Sequence, residues 1–148
     1  MLKPLLGALA EIAVQMPLVF PVHPRTAARI RDFGARDFLS APGVIALAPA
    51  SYLAMLGLMA DAALVLTDSG GVQEETTALG VPCLTLRQNT ERPITIDQGT
   101  NMLVGTDPQA IRDSFDVVQL NGGKRGRIPE YWDGQAAVRI AAALKERL

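Results

Sequence analysis

Short runs of apolar residues alternate along this chain with longer segments whose apolar positions recur every three or four residues. Leu2, Leu5, Leu6, Leu9 and Ile12 follow the helical spacing and predict an opening helix. Pro17–Val22 is a short apolar run that ends at a proline, and Pro24 to Phe33 reads as a helix closed by Gly34. Val44–Ala48 is the next strand candidate, followed by a helix over Ser51–Met59 with Ser51 as its cap. Ala63–Thr67 reads as a strand and Gly71–Leu79 as a short helix stopped by Gly80. Cys83–Leu86 and Asn101–Val104 are further strands. Asp107 with Pro108 at the first helical position opens a helix of about ten residues. Asn121–Gly134 is loop-like, rich in glycine and positive charge, and Gly134–Leu148 reads as a terminal helix with Ala, Leu and Ile on one face.

Strands that are apolar throughout, separated by helices, predict a parallel sheet covered on both faces. The expected class is therefore α/β, a doubly wound, Rossmann-like domain, with residues 1–148 forming one unit. Composition agrees. The chain has 148 residues, 49% hydrophobic and 20% charged, which excludes disorder. A chain of this size buries roughly 68–70% of its unfolded surface, enough for a core without covalent staples. One cysteine excludes a disulfide framework and a multi-thiolate metal site, and it suits a reducing compartment. Fourteen basic and fifteen acidic residues leave a formal charge of −1. No nucleic acid or anionic membrane is expected as a partner. No apolar run approaches the ~20 residues that span a bilayer. Residues 1–20 lack a basic start and a small-residue cleavage site, and Glu11 interrupts their apolar stretch. The expectation is a soluble cytoplasmic domain without a signal peptide.

The most informative segment is Asp68-Ser69-Gly70-Gly71-Val72-Gln73-Glu74-Glu75. It lies where a strand ends and a helix begins, the crevice in which open α/β sheets bind ligands. Two glycines let the backbone approach an anion closely, and the helix start offers unpaired N–H groups and the positive end of the dipole. Ser69 adds a hydroxyl. Gly71 and Glu75 share a helix face, so a phosphate near Gly71 places Glu75 to accept hydrogen bonds from a ribose diol. The run matches neither the dinucleotide fingerprint nor a Walker sequence. A plain tight turn with carboxylates favouring the helix dipole is the simpler alternative.

Two further loops follow strands. His23, the only histidine, lies after Pro17–Val22 and cannot form a His-rich metal site. It is a candidate phosphate donor or acid/base, or a turn residue without a ligand. Arg92, in Thr90-Glu91-Arg92-Pro93, is a candidate phosphate partner because its guanidinium binds two oxygens at once. The alternative for it is a surface ion pair with Glu91 or Asp97. Cys83 reads as a core thiol. Lys124, Arg125 and Arg127 read as a solvated loop. Tyr131-Trp132-Asp133-Gly134 reads as an anchor for that loop, with Asp133 capping the last helix.

Taken together, Phe20-Pro21-Val22-His23-Pro24-Arg25, Leu66-Thr67-Asp68-Ser69-Gly70-Gly71-Val72-Gln73-Glu74-Glu75, Thr90-Glu91-Arg92-Pro93, Val104-Gly105-Thr106-Asp107 and Trp132-Asp133-Gly134-Gln135-Ala136 carry a resemblance. In this order they resemble the C-terminal half of the non-hydrolysing bacterial UDP-N-acetylglucosamine 2-epimerases, over about Leu5 to Leu144. The resemblance implies one lobe of a GT-B architecture, in which two Rossmann-like domains face a cleft and the C-terminal one holds UDP. It implies that Ser69, Gly70 and Gly71 bind the diphosphate and Glu75 the ribose. His23 and Arg92 would serve the phosphates or the sugar side. Tyr52 and Met55 would line the uracil, Met55 standing where an aromatic residue is common. The implied reaction eliminates UDP from UDP-N-acetylglucosamine and adds it back with C2 inverted. It needs no metal or cofactor.

The resemblance also implies what is absent: the N-terminal lobe with the carboxylates that handle the C2 proton, and the first strand of this half, Met1 falling just after it. The remaining strands are expected to close up, or to leave a gap for a second chain. The expected partners are UDP or UDP-N-acetylglucosamine and a complementary lobe or second copy. Two alternatives stand beside a part of an epimerase inactive alone. One is a non-catalytic nucleotide-binding or self-associating remnant. The other is a lobe of a GT-B glycosyltransferase, against which the T-E-R-P and G-T-D segments argue.

Overall fold

The computed structural model describes residues 2–147. Helix α1 (Leu2–Gln15) turns Leu6, Leu9 and Ile12 inward, as their spacing requires. It leads into β1 (Leu18–Pro21) and α2 (Pro24–Asp32), where Pro24 enters at the first helical position. A 3-10 turn at Arg36–Ser40, which the apolar pattern does not reveal, precedes β2 (Val44–Leu47). Gly43 there adopts φ +80°, and a Cβ on it would lie 1.9 Å from the Ala13 carbonyl oxygen. Only glycine lets the end of α1 sit against the entry to β2.

Helix α3 (Tyr52–Ala60) starts at Ser51, whose hydroxyl accepts from the Ala54 N–H at 3.4 Å. Then come β3 (Val65–Thr67), α4 (Gly70–Leu79), β4 (Cys83–Thr85), a single turn α5 (Pro93–Asp97) and β5 (Asn101–Leu103). Helix α6 (Pro108–Asn121) begins with the Asp107 carboxylate accepting from the Ala110 N–H at 2.9 Å. It outruns its expected length because Phe115 and Val118 carry its buried face another turn, and it stops at Gly122. Helix α7 (Ala136–Lys145) closes the described chain. Its expected end at Leu148 lies outside the described residues. Among the described residues no helix is long and apolar enough to cross a membrane.

All pairings are parallel, as the apolar strands predict, but the five strands form two sheets, β1–β2 and β3–β4–β5. They have not closed up across the expected break. The two sheets also differ in cover. Val65 and Cys83 face Met59 and Val81 on one side of β3–β4–β5. Leu64, Leu66 and Leu86 face Ile12, Ile111 and Phe115 on the other. Leu84, Ile111 and Phe115 are essentially sealed from solvent, each burial stabilising by about 1.5–3 kcal/mol. In β1–β2, helices cover one face only. Val19 and Ile45, paired in register, are 40% and 48% exposed.

Candidate functional site

His23, the Ser69–Gly71 turn and the Thr90–Pro93 loop all follow the carboxyl ends of parallel strands. Thr67, the last residue of β3, accepts the Ser69 N–H on its hydroxyl at 3.0 Å and so shapes the turn into α4. Ser69 occupies the N-cap position with extended backbone, but its hydroxyl caps nothing. The N–H groups at the start of α4 therefore stay available for an anion. Gly70 and Gly71 do not need left-handed backbone here; neither has positive φ. What they provide is space. A Cβ on Gly71 would meet only the Ser69 hydroxyl, at 3.9 Å, whereas one on Gly70 would lie 2.8 Å from a Glu91 carboxylate oxygen.

The loop after β4 thus folds over the start of α4. Arg92 is fixed there by a 3.0 Å ion pair from Nε to Glu74, and not by Glu91 or Asp97. Glu91 is paired instead with Arg87 at 3.0 Å; its own backbone N–H first, then the Arg87 charge and more weakly that of Arg92, lower its pKa. With Nε committed, the two terminal nitrogens of Arg92 carry no partner among the described residues. Glu75, half-buried one turn beyond Gly71, has none either.

Beneath α4 lies a buried polar lattice that the apolar pattern could not show. Asn101 of β5 donates to the Gln73 carbonyl at 3.0 Å and the Thr77 hydroxyl at 3.1 Å, and accepts from the Thr85 hydroxyl at 3.1 Å. These bonds dock α4 on the sheet, so the direction of its N-terminus is set by three elements together. Cys83 is sealed in the same layer, and burial pushes its thiol up to about 11. It stays protonated at neutral pH and acts as a core residue.

The other expected site residues stand elsewhere. His23 is exposed at the end of β1 and caps α2, its Nδ1 accepting the Arg25 N–H at 3.2 Å. A neutral ring that accepts at Nδ1 carries its proton on Nε2. Tyr52, at the start of α3, is exposed, while Met55 is drawn into the cluster of Met59, Val65 and Cys83.

Two expectations about the C-terminal loop change. Lys124 is not simply solvated: its ammonium donates to the Ile96 carbonyl. Asp133 does not occupy the cap position of the last helix, which falls to Gln135. It accepts from the Gln135 N–H at 3.0 Å and grips Arg139 with both oxygens, which holds its carboxyl well below the usual range.

The family model described as UDP-N-acetylglucosamine 2-epimerase matches residues 1–145. The UDP-N-acetylglucosamine 2-epimerase of Escherichia coli (strain K12) is 41% identical over 93% of this chain and 38% of its own length. That of Methanocaldococcus jannaschii is 41% identical over 86% of this chain and 34% of its own. The structure of the Methanocaldococcus jannaschii enzyme in complex with UDP-GlcNAc and UDP superimposes with a TM-score of 0.85 and 37% identity. That likeness covers 98% of this chain and 40% of the other. The chain spans well under half of the relatives it matches.

Proposed function

This chain belongs to the UDP-N-acetylglucosamine 2-epimerase family, and from that premise we propose that residues 1–148 form its UDP-binding half. One observation carries the reading: at the uncapped start of α4, open at Gly71, a Cβ on Gly70 would lie 3.6 Å from the Cγ of Arg92, an arginine ion-paired to Glu74 through its Nε. The relative that superimposes over nearly this whole chain is described in complex with UDP-GlcNAc and UDP.

In this reading the N–H groups at the start of α4 and the Ser69 hydroxyl take the diphosphate oxygens, and the free nitrogens of Arg92 add a charge-assisted pair. Glu75 accepts from the ribose hydroxyls, and Tyr52 with Met55 borders the uracil. Elimination breaks the bond between C1 and the diphosphate oxygen, so negative charge grows on the leaving group. Groups already aimed there stabilise that charge more than they stabilise bound substrate. The Nε2–H of His23 is a second donor on the same side. The base for the C2 proton belongs to a complementary lobe, which also covers the exposed Val19 and Ile45. A cytoplasmic setting suits the reduced Cys83.

Calorimetric titration of the chain with UDP tests this. Saturable binding weakened by Glu75→Ala is expected, with interconversion of UDP-N-acetylglucosamine and its C2 epimer only when the complementary lobe is added. A folded chain that ignores millimolar UDP overturns the proposal. A chain that binds UDP but sediments as a dimer, unchanged by the lobe, favours self-association.

A further inference from the structure

The binding scheme gives Gln73 of the α4 motif no task, and it is completely buried. Its side-chain carbonyl accepts from the Thr90 hydroxyl at 2.6 Å and lies 3.5 Å from the Thr95 hydroxyl. Those two threonines flank Arg92. Thr90 accepts the Arg92 N–H at 3.0 Å, and Thr95 donates to the Arg92 carbonyl at 2.7 Å. The Arg92 N–H therefore ends on a hydroxyl held by the Gln73 amide, and the hydroxyl on its carbonyl packs beside the same amide. The main-chain carbonyl of Gln73 is in turn held by Asn101. The next residue, Glu74, holds the Arg92 side chain.

This arrangement is costly, because the Gln73 NH2 group is buried with no partner among the described residues. A buried donor left unpaired weakens the fold, and an apolar residue of similar shape would avoid the loss. Packing alone does not account for an amide here. We infer that Gln73 is a positioning residue for anion binding, a clamp that sets Arg92 over the start of α4 through Thr90. The inference rests on the proposed UDP site and deepens it. Arg92 touches the diphosphate; Gln73 touches neither ligand nor guanidinium and acts only through the loop. Without the clamp the loop must be ordered at the moment of binding, and that ordering is subtracted from affinity.

A double-mutant cycle on UDP affinity separates this role from a structural one. Gln73→Leu removes the acceptor and the orphan donor together, and Thr90→Val removes the linking hydroxyl at constant shape. Each is expected to weaken UDP binding by about tenfold with Arg92 present, and by less than about twofold in an Arg92→Met background. Thr90→Ser, which restores the hydroxyl, is expected to bind as the parent does. Equal losses in both backgrounds overturn the clamp, as does no loss in either. If Gln73→Leu fails to fold, Thr90→Val and Thr90→Ser decide the matter by themselves. A parent chain that does not bind UDP overturns the site and the clamp together, whereas a binding parent with an additive cycle overturns the clamp alone.

Discussion

The two sheets of this molecule share a parallel βα construction, yet only one has what a preorganised site requires. Around β3–β4–β5, apolar side chains seal both faces, and an internal set of hydroxyls and amides fixes α4 and the 90–95 loop against the strands. Around β1–β2 one face is bare, β2 exposes Ile45 and Leu47, and the one expected ligand group, His23, stands exposed. The difference teaches that a parallel sheet becomes a platform through cover and buried polar bonding; strand pairing alone does not suffice. The β3–β4–β5 half meets both conditions by itself. The β1–β2 half leaves one face open to solvent.

The largest test of this contrast is a pair of truncations. Phe115→Ala empties a sealed position and is expected to cost about 3–5 kcal/mol in urea unfolding. Ile45→Ala, at a half-exposed position, is expected to cost less than about 1 kcal/mol. Similar losses from the two would erase the contrast. Next comes Gly71→Val, whose Cβ would meet no neighbour closer than 3.9 Å. It is expected to abolish detectable UDP binding while leaving Tm within about 2 °C of the parent. Retained binding would move the ligand away from α4.

The smallest effect concerns the exposed grip of Asp133 on Arg139. The native pKa of Asp133 is depressed, so its contribution is present above the unfolded value of about 3.9 and is lost as pH falls through the lower native value. Asp133→Asn is expected to loosen the start of α7 at pH 7, read from Arg139 side-chain NMR. The difference from the parent should persist down to pH 5 and shrink below about pH 4. A difference that grows on acidification would assign the grip to another group.

Much of this was legible in the sequence because it is local. Ser51, Asp107 and Gly80 bound their helices through bonds or turns made within four residues, and the apolar runs mark all five strands. The start of α4 could be placed the same way. Local pattern could not foresee the single turn α5, whose Pro-Ile-Thr-Ile-Asp run resembles loop, nor that Arg92 pairs with Glu74, eighteen positions distant. Gln73 reads as one more polar residue on a helix until Thr90, Thr95 and Asn101 are brought beneath it from 17 to 28 residues away.

The sequence by itself determined the five strands, the longer helices, their parallel class and the place of the glycine turn into α4, because hydrophobic period, caps and glycine act over one or two helical turns. Only the tertiary structure decided that the strands divide into two sheets, which face of β1–β2 stays bare, and which side chains hold Arg92. Those outcomes depend on distant segments competing for the same buried space and the same hydrogen bonds, and no short window of residues records the winner.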